Sequence, residues 1–390
     1  MDSLQKVCGS SEHQIQMDSA SCGSREEDCN RTFHLYIPER LCDNDDSSTN
    51  SVASIGTIPL VFAVHCFSCN AQAMAKFEAI AKEFNFVLVR PEGVESSWNA
   101  KYCCGYALDQ KLDDIGFFGR IIDNLDASFE FVNKEMVYGV GWSNGGYMVT
   151  YSAHLFRSIA PIAGYQYGDF EAINHGTPTG LFQHHSLNDP VVSFNGCCSN
   201  TTMKKCCCGI SKQGGDQCTS VDQAFEDWAT KVNGCSGSAT TTYIDNGRGI
   251  ECRSGDDCSS NTTLCVHKNS EHFNPFSKGG FPMFNEIGDF FARDACLMNE
   301  GNWHAKSKLC SCADEQSSWM YCSALTITSD KHADSTSVVF TTGSIVIVIA
   351  VFTLMMPKRW KRCSINMNQK KKQDGWESVP SEEPKEIELR

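Results

Sequence analysis

Five residues, Gly141-Trp142-Ser143-Asn144-Gly145, fit the G-x-S-x-G spacing that sets a serine on a sharp strand-to-helix turn. Such a turn projects the hydroxyl above a sheet as a nucleophile. The flanking glycines keep side chains out of the neighbouring strand and helix. The helix that follows aims its open N–H groups at the place where an oxyanion would form. The context agrees, with an apolar run Met136 to Val140 before the serine and a helix-competent run after it. The rival reading is an ordinary serine in a tight strand–helix turn.

A serine nucleophile of this kind needs a base and an acid, in the chain order Ser, acid, His. The segment from Gly180 to Val192 reads as a strand followed by a turn at Asp189-Pro190, so Asp189 is the candidate acid. Asp-Pro is also a turn signal in any protein, and turn formation is the competing role for Asp189. The segment from Thr263 to Asn274 holds two histidines. His267 falls within a strand, which points to packing or surface. His272 lies in the loop ahead of the last helix and is the candidate base. His154, His175, His184 and His185 precede Asp189 or sit in strands, which chain order disfavours. In this scheme Ser143 attacks an ester carbonyl, His272 takes the proton, and Asp189 fixes the imidazole tautomer. The oxyanion needs two donors. Asn144 N–H is one, and the loop His65-Cys66-Phe67 supplies the other, with Cys66 and Phe67 as candidates.

The elements that must position these residues follow from periodicity. Continuous apolar runs at Ile58 to Val64, Phe86 to Val89 and Val137 to Val140 read as strands buried on both faces. Ser158 to Ala163, Gly180 to His184, Thr240 to Ile244 and Thr263 to His267 read as later strands, and Thr32 to Pro38 as an early one. Helical spacing appears at Gln72 to Glu83, Asp113 to Phe129, Val221 to Val232 (capped by Ser220) and Phe281 to Arg293. Strands alternating with helices imply a mostly parallel sheet covered on both faces, and with the elbow this is an α/β-hydrolase layout. The catalytic domain is expected over 32–295, after a loose polar leader at 1–31. A cysteine-rich insertion occupies 193–219 and a cysteine-rich stem 296–337.

The chain has 390 residues and 23 cysteines, far more than a reducing compartment favours, so disulfides and a secretory route are expected. Sequons at Asn30, Asn200 and Asn261 agree. Cys206-Cys207-Cys208 and Cys310-x-Cys312 do not give paired C-x-x-C spacing and no histidine pair matches them, so neither a metal nor a cofactor is expected. The net charge is −14, and 357–390 holds nine Lys/Arg against six Asp/Glu, so the acidic character belongs to the main body, which argues against nucleic-acid binding. Residues 338–356 are 19 uncharged, mainly apolar residues followed by Lys358, Arg359, Lys361 and Arg362. That pattern predicts a single membrane span with 1–337 outside and a short, solvated cytoplasmic tail. The N-terminal segment shows no apolar signal-peptide core, and a start lying upstream of Met1 is the expectation.

A resemblance to the secreted esterase/poly(3-hydroxybutyrate) depolymerase family, which includes feruloyl and acetylxylan esterases, runs from about Arg31 to Cys296. The residues that carry it are Pro59 to His65, Arg90-Pro91-Glu92-Gly93, Trp98-Asn99 with Cys103-Cys104-Gly105, Asp113-Asp114-Ile115-Gly116-Phe117, the elbow, Asp189-Pro190-Val191-Val192, and His272. The resemblance implies an extracellular carboxylic ester hydrolase with Ser143, Asp189 and His272 as its triad. Its substrates would be aryl or acetyl esters on polysaccharide, or hydroxyalkanoate polyesters. The chain departs from the family at Cys66, where glycine is usual, and at Phe273-Asn274, where Trp-Pro is common. Cys66 either weakens the oxyanion geometry or pairs with Cys69 or another cysteine. The alternative reading is a catalytically inactive cysteine-rich surface binding protein on a hydrolase scaffold, and a serine peptidase is a third.

Overall fold

The computed structural model describes residues 8–39, 58–101, 103–166, 176–196, 219–272, 283–298, 301–304 and 309–311. The expected span at 338–356, the cytoplasmic tail, most of the stem and residues 197–218 of the cysteine-rich insertion lie outside the described residues. Among the described residues no helix is long and apolar enough to cross a membrane.

The chain enters as β1 (Gly9–Gln16), β2 (Asn30–Ile37) and β3 (Ile58–Val64), then α1 (Phe77–Phe84), β4 (Val87–Pro91), α2 (Tyr106–Asp109), α3 (Asp114–Ser128) and β5 (Val132–Trp142). After the elbow come α4 (Asn144–Tyr151), β6 (Ser158–Ile162), β7 (Gly180–Ser186), α5 (Val221–Asp227), β8 (Gly237–Asp245), β9 (Ile250–Asp256), β10 (Thr262–His267) and α6 (Met283–Met298). A small hairpin, β11 (Asn302–His304) with β12 (Leu309–Ser311), follows. One ten-stranded sheet has the order β1-β2-β4-β3-β5-β6-β7-β10-β9-β8. The run from β4 to β10 is parallel throughout; β1, β2, β9 and β8 are antiparallel additions at the two edges. This strand order, with the serine turn between β5 and α4, is an α/β-hydrolase fold.

Strand β3 shows why the sheet is covered on both faces. Leu60, Phe62 and Val64 enter the core that holds Phe117, Phe118, Ile121 and Leu125 of α3. Val61 and Ala63 enter the opposite core with Phe77, Ile80 and Phe84 of α1 and Ile287 and Phe291 of α6. Alternation of Cβ direction along a strand produces this division, and burial of both faces explains the unbroken apolar run. Asp113 caps α3 by accepting from Gly116 N–H at 2.8 Å. Ser220 caps α5 by accepting from Gln223 N–H at 3.1 Å, as expected, and the helix loosens into a π turn at Trp228–Val232.

Three elements differ from the sequence expectation. The polar leader at 1–31 is not loose throughout, because β1 forms an edge strand paired with β2 along its whole length, from Gly9 opposite Ile37 to Gln16 opposite Asn30. The segment Gln72 to Glu83 is not one helix; a 3₁₀ turn at Ala71–Met74 precedes α1. Strand β9 was not foreseen, because only Ile250 and Cys252 of its seven residues are buried apolar groups.

Candidate active site

Ser143 occupies the junction of β5 and α4 at φ 55° and ψ −114°. A non-glycine residue held there stores about 1–3 kcal/mol of backbone strain, so the surrounding structure must enforce it. Ser143 N–H donates to Ile162 O at 2.8 Å on β6, and Ser143 O accepts the first helical bond, from Tyr147 N–H at 3.0 Å. The glycines act by close approach. A Cβ on Gly141 would fall 2.1 Å from Gly145 O, and a Cβ on Gly145 would fall 2.2 Å from Val64 O and 2.5 Å from His65 O. The start of α4 therefore touches the end of β3.

Asp189 and His272 meet. His272 Nδ1 lies 2.8 Å and 2.9 Å from the two carboxylate oxygens of Asp189, so Nδ1–H donates to the acid. Asp189 is buried, and its Oδ1 also accepts from Val191 N–H and Val192 N–H, both at 2.8 Å. The two loops are tied to one another. Leu187 N–H donates to His267 O at 3.0 Å, Asn188 Nδ2 donates to Lys268 O at 2.9 Å, and the Ser186 hydroxyl donates to Ser270 O. The His272 ring stacks on Trp142, the residue before the serine, with centroids 6.5 Å apart. No hydrogen bond joins Ser143 Oγ to His272 among the described residues; such contacts are often loose before substrate binds.

The loop after β3 is the densest part of the site. Cys66 pairs with Cys69, the nearer of the partners left open for it. Cys69 N–H donates to Cys66 O at 3.2 Å and closes a turn whose left-handed residue is Ser68, at φ 58°. Cys66 itself has no positive φ, so its side chain does not strain the backbone. His65 is fully buried, its Nδ1–H donates to Cys66 O at 2.8 Å, and its Nε2 accepts from Gly93 N–H at 2.9 Å. Burial, reinforced by the Arg31 charge and opposed by the Cys66 carbonyl, pushes the His65 pKa down to about 4. The ring is neutral with its proton on Nδ1. Trp98 Nε1–H donates to His65 O at 3.0 Å.

The Asn144 side chain joins this loop to the elbow. Its Oδ1 accepts from Trp98 N–H at 2.8 Å, and its Nδ2 donates to Trp98 O at 3.2 Å and Cys103 O at 3.0 Å. Below it, Asn99 N–H donates to Asp114 at 2.7 Å, and Asp114 pairs with buried Arg31 at 2.6 Å. The sequence reading used only the Asn144 backbone and missed this second role. It also missed His185, whose Nε2–H donates to Val192 O at 2.9 Å and which lies 3.9 Å from Asp189. Its signal is a histidine four residues before the acid, at the end of a buried strand. His267 is a packing residue, buried with Nε2 3.2 Å from His184 Nδ1 and pushed by burial to a pKa of about 4.

Among the described residues no three His, Cys, Asp or Glu side chains group as a metal site. A cavity of about 450 Å³, lined by Phe182, Asp257, Thr262, Phe290 and Arg293, lies at the opposite ends of β7 and β10 and shares no residue with the site. The sequon residues Asn30 and Asn261 are exposed, and Asn200 lies outside the described residues.

No protein-family model matches the chain, and no curated protein matches it. Among solved structures it is similar to an acetyl xylan esterase from Aspergillus awamori, at 13% identity and a TM-score of 0.45, over 72% of this chain and 98% of that one. It is also similar to an S-formylglutathione hydrolase from Agrobacterium tumefaciens, at 11% identity and a TM-score of 0.40, over 73% and 94% of the two chains. The S-formylglutathione hydrolase FrmB from Staphylococcus aureus aligns at 14% identity and a TM-score of 0.31, over 46% and 81%.

Proposed function

We propose that this chain is a serine hydrolase of carboxylic esters, with Ser143 as nucleophile, His272 as base and Asp189 as the acid that orients it. The observation that carries the reading is the strained Ser143 at the β5–α4 turn, with the hydrogen-bonded His272–Asp189 pair stacked through His272 on the preceding Trp142. With Nδ1–H donated to the carboxylate, the free lone pair of His272 is on Nε2, the atom that accepts the serine proton. Attack forms a tetrahedral oxyanion, which the N–H of Asn144 and a second N–H from the Cys66-Phe67 loop stabilise. Protonated His272 then releases the alcohol, and water cleaves the acyl-enzyme by the same steps in reverse.

The substrates we infer are aryl or acetyl esters on polysaccharide, or hydroxyalkanoate polyesters; the motif set from Pro59 to His272 supports this choice. We further infer a protein held to a membrane by 338–356, with its catalytic domain outside and glycans on Asn30, Asn200 and Asn261. The test is hydrolysis of a short-acyl nitrophenyl ester by the full chain in mild detergent, followed by a panel of feruloyl, acetyl and hydroxybutyryl esters. Ser143→Ala is expected to abolish turnover and labelling by a serine-directed fluorophosphonate. Equal rates for the two proteins would sink the proposal.

A further inference from the structure

We infer that the Cys66–Cys69 disulfide is a positioning element of the oxyanion hole, a clasp that fixes the direction of the open N–H groups at Cys66-Phe67. This rests on the ester-hydrolase reading above. The bridge spans the two ends of the turn Cys66-Phe67-Ser68-Cys69. Cys66 O accepts from His65 Nδ1–H at 2.8 Å and from Cys69 N–H at 3.2 Å, and Ser68 N–H donates to Ser96 O at 2.9 Å. The N–H groups of Cys66 and Phe67 have no backbone partner among the described residues, and they are the donors left over.

The tip is also poorly held by packing. The Phe67 side chain is 44% exposed, although its ring lies against Gly105, where a Cβ would come within 2.5 Å of it. The left-handed backbone at Ser68, φ 58°, is disfavoured for a residue with a Cβ. A turn of this shape, with an exposed tip and a serine in the left-handed region, relaxes readily unless its ends are tied. The covalent tie removes that freedom. The turn leads directly out of β3, whose last carbonyls touch Gly145 at the start of α4, so a change in the turn is felt where the oxyanion would sit. The triad itself hangs from other loops and does not depend on the bridge.

The experiment compares wild type with Cys66→Ser/Cys69→Ser. Losing one oxyanion donor outright lowers kcat by about 10²–10³-fold, so displacing one is expected to lower it about 10- to 100-fold. KM should stay within about twofold, and the Ki of a trifluoromethyl ketone, whose adduct carries the oxyanion, should rise by the same factor as kcat falls. If the double variant does not fold, the same constants are read on wild type in which a phosphine reductant has opened this bridge alone, as mapped by alkylation and mass spectrometry. Reoxidation should then restore kcat. A folded variant or selectively opened protein with kcat and ketone Ki within twofold of wild type overturns the inference. A rise in KM with kcat kept overturns it as well. Wild type that neither turns over any ester nor takes a fluorophosphonate refutes the ester-hydrolase reading itself, a result distinct from an active wild type with an indifferent clasp.

Discussion

His65 makes the loop after β3 sensitive to acid, because burial holds its ring neutral. The ring is fully buried, donates from Nδ1 to Cys66 O and accepts at Nε2 from Gly93 N–H. A proton added to Nε2 would face the Gly93 N–H directly, with one donor set against another. The folded pKa is about 4, against 6.5 for the exposed side chain. The unfolded chain therefore binds the proton first as pH falls, and between these two values stability rises with pH. For that pair of pKa values the lost stability is about 2 kcal/mol at pH 5 and about 3 kcal/mol at pH 4, and it levels off below. Urea unfolding of wild type and His65→Gln at pH 7, 5 and 4 separates this residue from His267 and His184, which titrate in the same direction and are common to both proteins. The variant should start less stable at pH 7 and lose about 3 kcal/mol less than wild type on going to pH 4. Parallel losses in the two proteins would refute the assignment of a neutral, doubly bonded His65.

Asp189→Asn should leave the turn at Val191 and Val192 in place but present an amide to His272 Nδ1; the wrong tautomer then lowers kcat by about 10⁴-fold, read by steady-state ester hydrolysis. Gly145→Ala drives a Cβ to 2.2 Å from a backbone oxygen and should abolish activity and folding together, whereas Gly119→Ala in α3 meets nothing within 4 Å. The latter should add about 0.5–1 kcal/mol, and thermal unfolding of the two side by side checks the contrast. Asp114→Asn strips the countercharge from Arg31, which is buried against the Phe117 ring, and should cost about 3–5 kcal/mol in urea unfolding.

The parts of the fold that were legible in the sequence are those whose burial leaves no choice of residue. Strand β3, Val87 to Val89 of β4 and Met136 to Val140 of β5 are buried on both faces, so a largely apolar run is what fits, and it reads plainly. The edges are different. Strand β1 alternates between half-buried and exposed positions, and its inward residues include Gly9, Ser11 and His13. Backbone pairing to β2, rather than side-chain burial, makes it a strand, and pairing leaves no periodicity to read. In the site, position relative to the strands rather than chain order distinguishes the two late histidines: His272, in the loop, bonds Asp189, whereas His267, at the end of β10, packs against His184. What chain order cannot show is the support. His185 and the Asn144 amide act through carbonyls that only folding brings within reach.

That support also gives Trp98, Asn99 and Asp114 a role although none of them is placed in the triad. Asp114 is held by Arg31 and in turn holds the Asn99 N–H; Asn99 Nδ2 donates to Leu112 O at 2.8 Å. The backbone of Trp98 is thereby fixed from below. From above, the Asn144 amide grips both its N–H and its carbonyl, while its indole N–H holds His65 O. Each member is bonded, and all but the half-buried Asn99 are buried, so the chain of contacts transmits position rather than absorbing it. The elbow and the oxyanion loop approach from different strands, and they meet through Trp98. A substitution anywhere along the series, at Asp114 as much as at Asn144, should therefore show first as a fall in kcat with KM little changed, before it shows as unfolding.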